Sequence, residues 1–229
     1  MQISVVIPFY NEVDNVDPVL DELRELLPDA EVIAIDDGSR DGTGERLRAR
    51  GDVQSHFFPR NLGQSAAVYY GLVRATGDVC VIMDGDGQND PRDLPRLLEL
   101  IPDYDLVNGH RAERRDPLSK RLASRVANGF RRAVLHDGMR DTGCTPKLLK
   151  RELVRHLVPF DGMHRFIPAL VQAAGARCIE VPVQHRPRRS GQSKYTNLRR
   201  AVRGLRDVFG VRWLLARRVD WPGSEDLPD

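Results

Sequence analysis

The sequence predicts an α/β fold in which a mostly parallel sheet is flanked by helices and followed by a C-terminal amphipathic helix. Strand-like and helix-like segments alternate through the first 110 residues, which is typical of βαβ units. Acidic segments follow three predicted strands, at residues 11–12, 36–37 and 84–88. Because ligands of parallel sheets bind beyond the carboxyl ends of the strands, we expect these segments to meet at one edge.

The N-terminal half contains five short apolar or β-prone runs, which we interpret as strands. They are residues 2–7, 31–35, 53–58, 78–83 and 104–108. Between them lie segments whose apolar residues recur at helical spacing. These predicted helices are residues 16–27, 43–50, 64–75 and 91–101.

The C-terminal half is less regular and more basic. Helices are predicted at residues 118–135, 164–174 and 197–218, a strand at 177–183 and a polar loop at 187–195. We interpret residues 1–195 as one domain, with a nucleotide-binding half at 1–110 and an acceptor half at 111–195. Residues 196–218 form the amphipathic helix, and the tail at 219–229 is expected to fray.

Composition excludes several classes of protein. The chain has 229 residues, 41% of them hydrophobic, which suits one domain with a core. The three cysteines form no CxxC pair, so neither a zinc site nor a disulfide framework is indicated, and a reducing compartment is favoured. No signal peptide and no membrane span of 18 apolar residues are expected.

The charge is unevenly distributed. Residues 1–109 carry 9 Lys/Arg against 21 Asp/Glu, whereas residues 110–218 carry 26 Lys/Arg against 8 Asp/Glu. This asymmetry predicts an anionic partner for the second half: nucleic acid, a phosphorylated ligand or an anionic membrane surface. A basic face that is merely solvated is the alternative.

The most informative motif follows the apolar run that begins at Val81. Asp84 and Asp86 are one residue apart, so on an extended chain both side chains would face one point beyond the strand. Together with the amide oxygen of Gln88, they would suit Mg²⁺ or Mn²⁺ bridging a diphosphate. An acidic turn is the alternative interpretation.

Five segments resemble glycosyltransferase family 2, whose members use nucleotide sugars and have the nucleotide-diphospho-sugar transferase fold named GT-A. The five segments are residues 5–12, 35–43, 60–66, 77–91 and 188–195. The last three of them are most similar to the family's polyprenyl-phosphate branch, which includes dolichol-phosphate mannose synthases. The resemblance covers roughly residues 2–195, and it implies a glycosyltransferase.

The resemblance implies roles for residues on the donor side. The nucleoside would contact Pro8, Tyr10 and Glu12, and its base or ribose would contact Asp37, with Asp36 beside it. Metal and diphosphate would be bound by Asp84, Asp86 and Gln88, while Arg188 and Lys194 would close over the phosphates. Asp86 and Arg188 would therefore serve the chemical step, because a departing diphosphate needs positive charge.

On the acceptor side, the resemblance implies Arg111, Ser124 and Arg125 as ligands of a lipid phosphate. Many family members that glycosylate hydroxyls carry a Glu-Asp pair whose Asp acts as general base, and residues 140–144 lack such a pair. A phosphate monoester is already anionic and needs arginines rather than a base. Asp141 is either a base or a turn residue.

These expectations combine into a reaction, with inversion, in which a hexose moves from a nucleotide sugar to a polyprenyl (dolichyl or undecaprenyl) phosphate. The donor would be of the GDP-mannose or UDP-glucose type. The alternative is a family 2 enzyme acting on a sugar hydroxyl in cell-surface polysaccharide synthesis. A nucleotidyltransferase is disfavoured by the acidic loop at residues 11–12, and a non-catalytic RNA-binding module by the lack of an aromatic platform, so nucleic acid is not expected.

The C-terminal helix is predicted to lie in a membrane interface, because an apolar stripe with Trp213 is opposed by arginines. The alternative is a helix that covers the domain's own core, and both can hold. The chain is expected to be cytoplasmic and peripherally associated with the cytoplasmic face of the membrane. A small membrane protein is a possible anchoring partner.

Overall fold

The computed structural model describes residues 1–111, 118–187 and 197–218; within these, the side chains of 118–124 and 197–203 are not described. Its described strands form one seven-stranded sheet with the order β3-β2-β1-β4-β6-β5-β7. They are β1 (Ile3–Phe9), β2 (Glu31–Asp36), β3 (Gln54–Phe57), β4 (Val79–Ile82), β5 (Leu106–Arg111), β6 (Lys147–Lys150) and β7 (Cys178–Val183).

Six of these strands run in one direction, and β6 alone is antiparallel to both of its neighbours. The five predicted N-terminal strands and the strand at 177–183 are confirmed, with ends shifted by one to three residues. Strand β6 is missing from the sequence analysis. Its sequence, Lys-Leu-Leu-Lys, is short and lacks the β-branched residues typical of a buried strand.

The described helices lie on both faces of the sheet. They are α1 (Val16–Leu26), α2 (Thr43–Arg48), α3 (Gln64–Arg74), α4 (Leu94–Leu98), α5 (Leu118–Leu135), α6 (Ile167–Gln172) and α7 (Asn197–Ala216). Helices α4 and α6 begin three residues later than predicted, because 3-10 turns at Pro91–Asp93 and Met163–Arg165 precede them. Beginning α4 at Leu94 places Pro95 in its first turn, where the missing N–H costs nothing.

The core has two layers because alternate residues of the central strands face opposite sides of the sheet. Val5 and Ile7 of β1 pack with α1 and α4 in one layer, whereas Val6 packs with α3, α6 and part of α7 in the other. All three side chains are fully buried. This double burial explains why the strands read as continuous apolar runs.

The carboxyl ends of β1, β2 and β4 lie side by side, as the sequence analysis expected. Phe9 at the end of β1 is in register with Asp36 at the end of β2, and Val6 is in register with Ile82 at the end of β4. The loops that follow these strands therefore leave the sheet at one edge.

Helix α7 both packs on the domain and exposes apolar side chains. Val208 and Val211 are buried in the core, whereas Phe209 and Trp213 are 59% and 63% exposed. The burial of Val208 and Val211 supports the interpretation that the helix covers the domain's own core, whereas the membrane interface stays a prediction. Within the ranges described, the helices are all too short or too polar to cross a membrane.

A surface ion pair near the end of α2 gives a pH-dependent prediction. The Arg50 guanidinium donates to both oxygens of Asp52, at 2.8 and 2.9 Å, and lowers the pKa of Asp52 to about 2. The folded pKa is depressed, so the stabilisation is complete above the unfolded pKa of about 3.9 and is lost as the pH falls towards 2. Asp52→Asn should lower the free energy of unfolding by roughly 0.2–1 kcal/mol at pH 7, because the pair is partly exposed. In urea titrations, the difference from wild type should disappear between about pH 4 and pH 2; a constant difference would contradict this.

Candidate functional site

The acidic loop after β4 is a turn rather than an extended continuation of the strand. Strand β4 ends at Ile82, and the Gln88 backbone N–H donates to Asp86 Oδ1 at 3.1 Å, which closes a turn over residues 85–87. Gly87 has a φ of +72°, a conformation that glycine adopts readily. The extended geometry expected for Asp84 and Asp86 is therefore wrong, although the two carboxylates are still close enough for their charges to interact.

Three neighbouring residues fix the position of Asp84. Gln64 Nε2 at the start of α3 donates to Asp84 Oδ1 at 2.8 Å, and Thr145 Oγ1 donates to Asp84 Oδ2 at 2.6 Å. The Asp84 backbone N–H donates to Asn89 Oδ1 at 2.8 Å. Burial and the charge of Asp86 raise the pKa of Asp84, and the Thr145 hydrogen bond opposes that shift. Such a carboxylate is stabilised in its ionised form when a cation binds beside it.

The carboxylate pair fits a magnesium or manganese ion that is shared with phosphate oxygens. Within the described ranges, no three His, Cys, Asp or Glu side chains are grouped as a metal site. Mg²⁺ is commonly held by one or two carboxylates, with substrate phosphates and water completing its shell. Each Asp84 oxygen accepts one side-chain hydrogen bond and retains a second lone pair. Two carboxylates are thus sufficient when a diphosphate supplies the other ligands.

A pocket of about 410 Å³ opens at the carboxyl ends of β1, β2 and β3. Tyr10, Asp36 and Phe58 line it, together with three arginines, which are Arg40, Arg48 and Arg60. Aromatic faces, a carboxylate and guanidinium groups are suited to a nucleoside, because they stack on a base and accept or donate hydrogen bonds.

Asp37 supports the wall of this pocket. Its carboxylate accepts hydrogen bonds from Asn61 Nδ2 at 2.7 Å and from the backbone N–H groups of Leu62 and Gly63 at 2.7 and 2.9 Å. Burial raises the pKa of Asp37, and the two backbone hydrogen bonds lower it. Asp37 thereby holds the segment that leads into α3 and Gln64.

Glu12 and Pro8 have local contacts. Glu12 Oε2 accepts a hydrogen bond from Asn15 Nδ2 at 2.6 Å, and the Glu12 backbone N–H donates to Thr43 Oγ1 at 2.9 Å. Pro8 lies in β1 beneath the acidic loop, where a Cβ on Gly85 would be 2.8 Å from the Pro8 carbonyl oxygen. Only glycine allows this close approach between β1 and the loop that carries Asp84 and Asp86.

On the acceptor side, Arg111 is the last residue of β5 and is paired with Asp141. Arg111 Nε donates to Asp141 Oδ2 at 2.8 Å, and Arg111 Nη2 donates to Asp141 Oδ1 at 3.0 Å. The positive charge of Arg111 opposes the raised pKa of Asp84, so this guanidinium lies near the acidic loop. Arg125 is exposed on α5, and Ser124 belongs to the same helix, but its side chain lies outside the described part.

Two predicted residues, Arg188 and Lys194, lie outside the described residues. The segment that precedes them is anchored to the acidic loop: the Arg186 backbone N–H donates to the Gln88 carbonyl at 2.8 Å. Gln88 Nε2 donates in turn to the Arg186 carbonyl at 3.4 Å, and Arg186 also pairs with Asp90 at 2.7 Å.

The sequence analysis missed three residues at this site. Gln64 and Thr145 both bind Asp84, and Gln64 falls in the segment 60–66 that carried part of the resemblance. Lys147 of β6 is 2% exposed and donates to the Cys144 carbonyl oxygen; burial lowers its pKa, whereas the charges of Asp84 and Asp141 oppose that shift. A lysine beside two leucines carries no signal of such burial.

The mostly parallel sheet flanked by helices agrees with the GT-A fold that the resemblance implied. Residues 4–158 match the sequence model of the family described as glycosyl transferase family 2. The chain belongs to glycosyltransferase family 2.

Curated relatives are identical to the chain at more than a third of the aligned positions. The undecaprenyl-phosphate 4-deoxy-4-formamido-L-arabinose transferase of Pectobacterium carotovorum is 37% identical over 208 residues, and that of Yersinia pestis is 35% identical. The matches cover 86% of this chain and 63–64% of the relatives, so the chain spans less than two thirds of their length.

Solved structures support the fold. Glucosyl-3-phosphoglycerate synthase from Mycobacterium tuberculosis, in complex with Mn²⁺ and UDP-glucose, superposes with a TM-score of 0.71 at 22% identity, covering 96% of this chain and 80% of that one. The same enzyme in complex with Mg²⁺ and UDP gives a TM-score of 0.68 at 21% identity, covering 93% and 78%.

Proposed function

We propose that the chain catalyses metal-dependent transfer, with inversion, of a glycosyl group from a nucleotide-diphosphate sugar to a polyprenyl phosphate. The observation that carries the proposal is the carboxylate pair Asp84 and Asp86, which follows β4 at the sheet edge where the nucleoside-sized pocket opens and is near enough to Arg111 for the charge of Arg111 to act on Asp84. The names of the curated relatives support an undecaprenyl phosphate acceptor.

In this reaction the acceptor phosphate displaces the nucleoside diphosphate at the anomeric carbon. Asp84 and Asp86, with Gln88 beside them, would hold the Mg²⁺ or Mn²⁺, which would supply positive charge to the departing diphosphate. Arg188 and Lys194 add positive charge on the same side, and Arg186 anchors the segment leading to them. Arg111, Ser124 and Arg125 hold the acceptor phosphate. Orientation of the two anions by fixed side chains accounts for much of the rate gain.

The donor is proposed to be a UDP-sugar. Tyr10 stacks on the base, and Asp36 contacts the ribose or base from the wall of the pocket. Asp37 shapes that wall through Asn61. Pro8 and Glu12, on either side of Tyr10, are proposed to contact the nucleoside as well. The sequence analysis expected a hexose, whereas the relatives' names contain a substituted arabinose, which is a pentose. Both hexoses and pentoses are therefore candidates for the transferred sugar.

The decisive experiment incubates the purified chain and Mn²⁺ with labelled UDP-glucose, GDP-mannose or a UDP-pentose, and with undecaprenyl phosphate in detergent. The expected result is a labelled lipid that requires both metal and lipid phosphate. Undecaprenol and an oligosaccharide serve as hydroxyl acceptors in parallel. Transfer only to the oligosaccharide would overturn the proposal in favour of the hydroxyl-directed alternative.

A lipid acceptor agrees with the exposed surface of α5 and α7. Phe130 of α5 and Phe209 of α7 contact each other edge to face at 5.7 Å, and Val126, one helical turn from Phe130, is 65% exposed. Leu205 and Trp213, one turn to either side of Phe209, are 45% and 63% exposed. The exposed arginines around this stripe are Arg125, Arg206, Arg212 and Arg217. Apolar side chains surrounded by arginines favour an anionic lipid surface.

We therefore place the chain on the cytoplasmic face of the membrane, peripherally bound through α5 and α7. A small membrane protein could strengthen this attachment as a partner. The Phe209→Ser/Trp213→Ser variant should lose at least about half of the binding to vesicles containing phosphatidylglycerol, because two apolar anchors are removed. Vesicle co-sedimentation measures the bound fraction.

Val73→Ser is the matched control, since Val73 is 55% exposed on α3 and lies outside the α5–α7 stripe. Its vesicle binding should equal that of the wild type. Equal binding by all three proteins would contradict the assignment of this surface.

A further inference from the structure

We propose that Asp141 is a positioning residue that orients the Arg111 guanidinium towards the acceptor phosphate, and that it is not a general base. The inference rests on the proposed transfer to a lipid phosphate and deepens it, because it assigns a role within the acceptor site.

The contact between the two side chains is bidentate. Nε and Nη2 of Arg111 donate to separate oxygens of Asp141, at 2.8 and 3.0 Å, and the side chains are only 24% and 8% exposed. Paired charge-assisted hydrogen bonds of this kind set the plane of a guanidinium. Both oxygens that could accept a proton from an acceptor are thus already engaged with a cation.

The backbone around Asp141 is held by two strands. The Asp141 backbone N–H donates to Glu180 Oε1 of β7 at 2.8 Å, and the Arg140 backbone N–H donates to both Glu180 oxygens at 2.9 Å. Asn108 of β5 donates through Nδ2 to the Asp141 carbonyl at 3.3 Å. Asp141 is therefore a fixed support and not a mobile side chain.

Asp141 accepts hydrogen bonds from Nε and Nη2, which lie along one edge of the guanidinium. Arg111 lies at the carboxyl end of β5, near enough to Asp84 for its charge to affect that carboxylate. An acceptor phosphate next to the donor diphosphate would thus meet a guanidinium whose orientation is already fixed.

The test compares Asp141→Asn, Arg111→Gln and the double variant, using labelled sugar transfer to undecaprenyl phosphate from pH 5.5 to 9. We expect Asp141→Asn to raise the KM for the lipid phosphate about tenfold, because an oriented charge-assisted contact is lost. The KM for the nucleotide sugar and the pH profile of kcat should not change. In the Arg111→Gln background, Asp141→Asn should raise the KM for the lipid phosphate by less than a further twofold, because Asp141 acts only through Arg111.

Arg140→Ala is the control for the loop, since Arg140 is exposed and neighbours Asp141; it should keep both KM values.

Thermal melting identifies variants that fail to fold. If Asp141→Asn fails to fold, Asp141→Glu replaces it, because glutamate retains a carboxylate in a shifted position. A large loss of kcat with unchanged acceptor KM and an altered pH profile would overturn the proposal in favour of a base, as would full additivity in the double variant. Unchanged kinetics in Asp141→Asn would overturn it as well. If wild type fails to use undecaprenyl phosphate at all, the proposed function itself fails, which is a separate outcome.

Discussion

Asp86→Ala is expected to lower kcat/KM for sugar transfer by a factor of about a hundred to a thousand. The carboxylate is the proposed ligand of the cation that neutralises the leaving diphosphate, and removing one electrostatic stabiliser of a developing anion typically costs that much. Asp86→Ala removes the hydrogen bond from the Gln88 N–H but also the charge that, after burial, raises the pKa of Asp84, so the two effects oppose each other and the free energy of unfolding should change little. Steady-state transfer at several Mn²⁺ concentrations measures the loss.

The matched control is Asp103→Ala, which removes an exposed carboxylate in the turn after α4. It should retain wild-type kinetics. Wild-type protein treated with EDTA should lose its activity as Asp86→Ala does and recover when Mn²⁺ or Mg²⁺ is restored. Full turnover of Asp86→Ala, or of the metal-free wild type, would refute the assignment of the metal to this loop.

Asp37→Ala is expected to act on stability as much as on binding. The carboxylate is 3% exposed and accepts three hydrogen bonds from residues 61–63. Removing it leaves these donors without their partner, so the free energy of unfolding should fall by about 3 kcal/mol, or roughly 6–12 °C in Tm for a chain of this size. Urea denaturation and thermal melting measure the change.

Asn61→Ala provides the comparison, because it removes only one of the three hydrogen bonds to Asp37. Its destabilisation should be about 1 kcal/mol. If Asp37→Ala melts like the wild type and only raises the KM for the nucleotide sugar, Asp37 contacts the ligand directly, as the resemblance implied, and does not support the loop.

Most of the fold was predictable from the sequence because its signals are local. The apolar runs of β1 and β4 and the helical spacing in α1 and α3 depend on residues close in the chain. The exception is β6, where Lys147 is buried in the middle of the sheet. The Lys147 ammonium is accommodated there by the Cys144 carbonyl, three residues away, and by the charge of the distant Asp84, and the apolar pattern of the strand contains neither contact.

The site was predictable in its residue types and less so in its contacts. The acidic loop at Asp84 and Asp86 was correctly placed at the edge of the sheet, but its turn depends on Gly87 and a local hydrogen bond to Asp86. The pairing of Arg111 with Asp141 joins residues 30 positions apart and required the antiparallel strand that the sequence analysis lacked. The predictions for Arg188 and Lys194 stand as predictions.

The segment from Asp141 to Lys147 connects the proposed acceptor site at Arg111 with the acidic loop at Asp84. One end of it binds Arg111 through Asp141, and Thr145 near the other end donates to Asp84. A donor complex that shifts Asp84 would therefore pull on the support of the acceptor arginine through a few covalently linked residues. Because thermodynamic coupling between two binding equilibria is reciprocal, occupancy by the lipid would change donor affinity by the same factor. In the proposed reaction, the loop that precedes β6 would thus couple the binding of the two substrates.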